Sequence, residues 1–295
     1  MDRAVNGAPI RYLSRDEDSA RWHGFRFRPG DIVISTRRRG GTTWMQMICA
    51  LLIFQHPEPP IPLWHLSPWL DHTIAPAHLV HARLAEQPHR RFIKTHTPLD
   101  GIPYDARVSY IVVARHPLDV FVSLRHQLNN IDGARMSRIT GGTLPDEPAG
   151  PVRDALLRWI EGEAGPYPET LAGVLGHLAV GWDRRELPNV LLVHYDDLVA
   201  DLDGQMRGLA GRLGIAVPEA AWPVLTRAAS FEQMRGAADR LVPGARGMFR
   251  DIASFFRRGT SGAGRELLTA AELAHYHARA AELAPTDLLE WLHGK

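Results

Sequence analysis

The stretch Asp31-Ile-Val-Ile-Ser-Thr-Arg-Arg-Arg-Gly-Gly-Thr-Thr-Trp44 decides how the rest of the chain is read. Its first five residues, Asp31–Ser35, are a short run rich in β-branched side chains, the pattern of a buried strand. A helix is expected from Thr42 to Gln55. Between the two, Gly40 and Gly41 let the backbone turn sharply and bring N–H groups close to an anion. Thr42 and Thr43 add hydroxyl donors at a helix N-terminus, where the partial charge is positive. Three consecutive arginines, Arg37 to Arg39, add full charges with forked donors. The plain alternative is a strand-to-helix turn with solvated arginines.

A nucleoside-triphosphate loop would end in Gly-Lys followed by Ser or Thr. Here Gly41 stands directly before Thr42, and residues 37–43 contain no lysine. The second and third strands end in Lys94 and Arg115, which leaves no strand-terminal aspartate for magnesium. The loop suits a doubly anionic group held without a metal.

Three further apolar runs read as strands: Arg91–Lys94, Val108–Ala114 and Val190–His194. Helical segments are expected at Pro117–Asn129, Tyr167–Glu186 and Asp203–Leu213. Strand followed by helix, repeated, predicts an α/β fold with a central parallel sheet and helices on both faces. At 295 residues the chain is near the upper limit for one core, and it is read as a single domain, 1–295. His56–His89, with its prolines, histidines, Trp64 and Trp69, and Gly133–Pro151 are read as mostly loop. The formal net charge of +1 argues against a nucleic-acid binder. The lone Cys49 excludes an intrachain disulfide, and the longest apolar run, Met47–Phe54, is too short to span a bilayer. A soluble, cytoplasmic protein is expected.

In such sheets, ligands collect at the carboxyl ends of the strands. Lys94-Thr-His-Thr-Pro98 puts a cation and an imidazole there, two residues apart, which makes His96 a candidate general base. After the third strand, Pro117 and Asp119 suit a helix start, with Arg115 just before it and Ser123 about two turns along. Tyr195 follows the fourth strand. Near the C-terminus, Phe255-Phe-Arg-Arg-Gly259 places two arginines beside a glycine, and Ser230-Phe-Glu-Gln-Met-Arg235 precedes it. Each of these residues also has a plain reading as core, cap or solvated loop.

Taken together and in order, these segments resemble the sulfotransferases that use 3′-phosphoadenosine-5′-phosphosulfate (PAPS). Thr36–Trp44 is similar to that family's T-Y-P-K-S-G-T-T-W loop, with Arg39 in place of its lysine and Gly40 in place of its serine. Lys94–Pro98 resembles K-T-H-x-P, and Arg115 to Ser123 matches R-x-P-x-D-x-x-x-S without a gap. The stretch from Val193 to Leu198 resembles F-Y-E-D-[LM], Ser230–Arg235 resembles T-S-F-x-x-M-[KR], and Phe255–Gly262 resembles F-x-R-K-G-x-x-G. The resemblance implies that Gly40, Gly41, Thr42, Thr43 and Arg39 hold the 5′-phosphosulfate, and that Trp44, Tyr195 and Phe231 surround the adenine. It implies that Arg115, Ser123, Arg257, Arg258 and Gly259 hold the 3′-phosphate, and that His96, Lys94 and Arg39 are catalytic. It also implies transfer to the hydroxyl of a small-molecule acceptor, with Trp64 and Trp69 suggesting an aromatic or flat alcohol or phenol. The family's Asp-Trp is replaced by Ala263-Gly264, and its dimer motif is present only in part, as Arg265 with Thr269-Ala270. Two other readings compete: a catalytically degenerate binder of adenosine bisphosphate, and a P-loop kinase.

Overall fold

The computed structural model describes residues 7–140, 150–163, 169–242 and 249–294. Four parallel strands form one sheet in the order β2-β1-β3-β4. They are β1 (Ile32–Ser35), β2 (Phe92–Thr95), β3 (Ser109–Ala114) and β4 (Val190–His194). Expected and observed strands agree to within one residue at each end. Register aligns Ser35 with Thr95 on one side and with Val112 on the other, so the loop after β1 leaves the middle of the sheet. The strand order reverses beside β1, which opens a crevice at the carboxyl edge.

Alternation along the strands divides the interior into two cores. Val33, Ile93, Tyr110, Val112 and Val190 face one side, where Trp22, Leu156, Leu175 and Tyr276 pack. Ile32, Ile34, Phe92, Ile111, Val113, Leu191 and Val193 face the other, against Met45, Ile48, Leu51 and Leu225. Because both faces are covered, the strands read as continuous apolar runs rather than alternating ones. Gly181, on the helix Leu171–Asp183, lets that helix close on β3; a Cβ there would come within 3.0 Å of Val112.

The helices Thr42–Phe54, Pro117–Asn130 and Leu202–Leu213 fall where expected. The expected start at Tyr167 lies outside the described residues, and that helix is seen as Leu171–Asp183. Both segments read as mostly loop also hold helices. His56–His89 contains the helices Leu63–Leu66 and Ala77–Glu86, the second begun after Pro76, whose ring presets the entry. Gly133–Pro151 opens with the helix Gly133–Thr140, while residues 141–149 lie outside the described set. Two C-terminal helices, Ala270–Leu283 and Thr286–His293, went unread in the sequence, although Thr269 and Glu272 form a capping box. Among the described residues no helix is long and apolar enough to cross a membrane.

One buried ion pair fixes the start of the sheet. Arg91 donates from Nε to Asp31 Oδ1 at 2.8 Å and also pairs with Oδ2, while its Nη2 reaches the Arg26 carbonyl at 2.9 Å. Both side chains are buried. Removing one partner strands a charge. Arg91→Ala is therefore expected to cost about 3–5 kcal/mol in urea denaturation, and a paired Arg91→Met/Asp31→Leu exchange far less. Equal losses from the single and the paired change would contradict this account.

Candidate active site

The carboxyl ends of β1, β2 and β3 and the start of β4's following helix open into one cleft. The residues singled out in the sequence come together there. His96, Lys94, Arg39, Gly41, Thr42, Thr43, Trp44, Arg115, Ser123, Tyr195, Phe231, Arg257, Arg258 and Gly259 all line it. Gly40 does not. It is buried beneath the loop, where a Cβ would meet the Arg37 carbonyl at 2.9 Å, so a side chain is excluded by backbone. Gly41 caps the helix Thr42–Phe54 with φ of 109°, a conformation that glycine adopts without strain. Thr42 is buried, and its hydroxyl pairs with that of Thr36, which braces the loop from within.

His96 sits beyond the end of β2 and is buried. Its Nδ1 bonds the Thr36 carbonyl, an acceptor only, so Nδ1 carries the proton and Nε2 keeps its lone pair. Burial, together with the charges of Lys94 and Arg38, holds the imidazole well below its ordinary pKa. Lys94 lies over the Trp69 ring, 3.9 Å from the centroid, and the edge of the same ring meets His96 at 4.6 Å. Removal from water and repulsion by Arg38 push the Lys94 ammonium down to about 8.

The segment that carries these two residues is anchored by Asp71, which the sequence reading missed. Its buried carboxylate accepts from Trp22 Nε1 at 3.3 Å and from the hydroxyls of Thr95 and Thr97. A lone aspartate next to a histidine in a Pro-rich run carried no sequence signal. Arg38 is likewise fixed from outside the loop, by Asp16 at 2.7 Å, Glu17 at 2.6 Å and Glu169 at 3.2 Å. Trp64, expected with Trp69 beside the acceptor, is an exposed residue tilted against His65 under Arg83 and lines no part of the cleft.

The other end of the cleft is aromatic and basic. Trp44 donates to the Ala229 carbonyl at 2.8 Å and meets the Tyr195 ring edge-on at 5.1 Å. Arg115 stacks over Tyr195 at 4.2 Å. The buried Arg115 Nε and Arg257 Nη2 have no hydrogen-bond partner in the protein, and no carboxylate lines the cleft among the described residues. Buried cationic donors left open in this way call for an anion.

Arg39 is tied to the helix after β3 and to the C-terminal segment. Its Nε donates to Ser123 Oγ at 2.9 Å and its Nη2 to the Phe255 carbonyl at 2.8 Å. The C-terminal segment is held down by Asp119, which accepts from Gly262 N at 2.8 Å and Gly264 N at 3.0 Å. A Cβ at position 264 would fall 2.4 Å from the Leu118 carbonyl carbon. The Ala263-Gly264 replacement thus brings this segment close against the helix start.

The sulfotransferase domain model matches residues 29–285. A glycolipid sulfotransferase of Mycobacterium bovis is 41% identical over 307 residues, covering 96% of this chain and 94% of the relative. One of Mycobacterium tuberculosis is 40% identical with the same coverage. The fold is similar to retinol dehydratase in a complex with retinol and PAP, with a TM-score of 0.70 at 22% identity over 90% of this chain and 84% of that one. A mouse sulfotransferase complexed with PAP gives 0.68 at 18% identity, covering 92% and 93%. The chain belongs to the sulfotransferase family. It is a PAPS-dependent enzyme that moves a sulfuryl group to an acceptor hydroxyl.

Gly259 has φ of 67°, and a Cβ on it would lie 2.4 Å from the Phe231 ring. Gly259→Ala is therefore expected to displace Phe231 and weaken adenine-nucleotide binding by about tenfold, within the range of one lost aromatic contact. Calorimetric titration with adenosine 3′,5′-bisphosphate (PAP) reads this directly. Unchanged affinity would show that Phe231 has no part in binding.

Proposed function

We propose that the cleft holds PAPS with its adenine among Trp44, Tyr195 and Phe231, its 3′-phosphate at Arg115, Ser123, Arg257, Arg258 and Gly259, and its phosphosulfate over the backbone of residues 41–43. The observation that carries this reading is the set of open, buried donors on Arg115 and Arg257 in a cleft without carboxylates. The same donor set favours chemistry without a metal, since hard divalent cations are held by oxygen ligands such as carboxylates. Activity unaltered by EDTA is the expected result.

His96 takes the acceptor proton on Nε2, the nitrogen its Thr36 bond leaves free. The acceptor oxygen then forms its bond to sulfur as the bond from sulfur to the bridging oxygen breaks, and that electron pair leaves with PAP. Lys94 neutralises the charge that builds on the transferred group. This is positioning and electrostatic stabilisation rather than covalent catalysis.

The acceptor we propose is the hydroxyl of a glycolipid. The mycobacterial relatives bear that name at about 40% identity. Leu124, Leu128 and Ile131 also present an apolar stripe at helical spacing along the cleft, where an acyl chain can lie. We further propose a single domain, since both cores are built on one sheet. A cytoplasmic location accords with the buried, free Cys49.

His96→Ala is expected to lower sulfuryl transfer about 10²–10⁴-fold while PAP affinity in titration stays within about twofold. Equal loss of both would remove His96 from the base role. The pH–rate profile follows from the two shifts. His96 is already neutral at 6.5, so the rate should be level there. It should fall as pH rises through about 8, where Lys94 loses its charge. In Lys94→Arg, which stays charged, any remaining activity should lose that alkaline limb.

A further inference from the structure

We infer that His177 is a positioning residue for the base: through Ser35 it holds the Thr36 carbonyl against His96 Nδ1 and so keeps the proton off Nε2. The inference rests on the reading of His96 as the base. His177 stands on the helix Leu171–Asp183 and acts through Ser35 rather than on the substrate.

The pairing of the sheet stops just short of the base. Register between β1 and β2 ends at Ser35 and Thr95, and the ladder closes with Thr36 N donating to the Thr95 carbonyl at 3.3 Å. Beyond that point two side-chain bonds continue the join. Ser35 Oγ donates to the Thr97 carbonyl at 2.8 Å, and His96 Nδ1 donates to the Thr36 carbonyl. The two bonds interlock, because Ser35 precedes Thr36 and Thr97 follows His96. His177 Nε2 meets the same Ser35 oxygen at 3.1 Å. The Ser35 proton is already given to a carbonyl, which only accepts, so His177 is the donor and carries its proton on Nε2. That N–H holds the Ser35 hydroxyl aimed at Thr97. Both polar groups of the Thr97 side are then fixed, the carbonyl by Ser35 and the hydroxyl by Asp71.

The helix is placed to make this reach. His177 and Gly181 are four residues apart and share one helix face. Gly181 sits on Val112, which pairs with Ser35 between β3 and β1. The close approach at Gly181 therefore sets the imidazole down over the end of β1. Arg184, at the end of the helix, donates to the Leu99 carbonyl at 2.7 Å and ties down the chain beyond Thr97. His177, Ser35, Thr36, His96 and Thr97 are all buried. His177 is the only polar side chain among the buried residues of its helix. Burial and repulsion from Arg37 push its imidazole down to about 3, while hydrogen bonding to the backbone of Ser35 and of His96 acts in the opposite sense. The ring is thus neutral at working pH. A leucine would fill this place without the cost of burying a polar ring, but it could not supply the N–H. Without that donor the Ser35 hydroxyl turns away from Thr97, and the Thr36 carbonyl loosens from Nδ1. His96 then shares its proton between both nitrogens, and the fraction with Nε2 open falls.

Nitrogen NMR of the full chain with isotopically labelled histidine reads the tautomer, the His96 signals being assigned by their loss in His96→Gln. In the unaltered protein the proton is expected on Nδ1. In His177→Leu and in Ser35→Ala the two His96 nitrogens should move toward a common averaged shift. In the same variants kcat for sulfuryl transfer from PAPS to octyl glucoside should fall about tenfold or more, while PAP affinity by calorimetry stays within about twofold. His177→Gln, whose amide can still donate to Ser35, should recover most of both losses. The double change should cost little more than either single one, since both break the same relay. If the leucine variant does not fold, Ser35→Ala decides, because it removes a single oxygen. His96 signals unchanged in both variants, or an equal loss of rate and PAP affinity, overturn the inference. If the signals move as expected but neither these variants nor His96→Ala slow transfer, the base reading fails and the positioning of His96 stands.

Discussion

Positive charge gathered at the carboxyl edge of a four-stranded sheet is the constraint around which this molecule is organised. Two cores press helices onto both faces and leave the carboxyl ends of the strands open to a cleft where polar groups converge. Arginines and a lysine delivered there repel one another in a medium that screens them poorly. The protein answers in two ways. Near His96 it neutralises Arg38 with carboxylates from the N-terminal segment and from residue 169. At the opposite end it leaves Arg115 and Arg257 with open donors. One end holds the proposed base among compensated charges, and the other holds the donors proposed to take the anion.

The strands and the main helices were legible because their patterns are local: β-branched runs bounded by turns, and Pro117 with Asp119 opening a helix. So were the fourteen candidate residues that line the cleft, because they lie directly after strands or in segments with a recognisable order. What could not be read depends on contacts between distant parts of the chain. Asp71 acts on Thr95 and Thr97 across more than twenty residues, and Glu17 and Glu169 approach Arg38 from opposite sides in sequence. The direction of Arg39 follows from a backbone dihedral and from Phe255, over two hundred positions away. Trp64 and Trp69 look alike in the sequence, yet only Trp69 pairs with a strand, through its bridge to Lys94.

The C-terminal segment shows how a departure from a family pattern can be absorbed. With Gly264 where the resemblance would place a tryptophan, the chain lies directly on Leu118, and Asp119 takes up two backbone N–H groups. Asn130 closes the other end of the segment, donating to the Asp251 carbonyl and accepting from Asp251 N. The helix Pro117–Asn130 thus serves as a splint for residues 250–264 along most of its length. Arg257 and Gly259, carried by that segment, inherit their placement from it.

Thr36 has a consequence of another kind. Its carbonyl fixes the proton on His96 Nδ1, and its hydroxyl pairs with Thr42 at the start of the helix behind the phosphate loop. One residue therefore sets both the tautomer of the proposed base and the shape of the loop proposed to cradle the anion. Any movement of the loop that carries Thr36 away also removes the acceptor that keeps the lone pair on Nε2. Acid–base readiness and donor seating are thereby geared together, like two wheels on one axle.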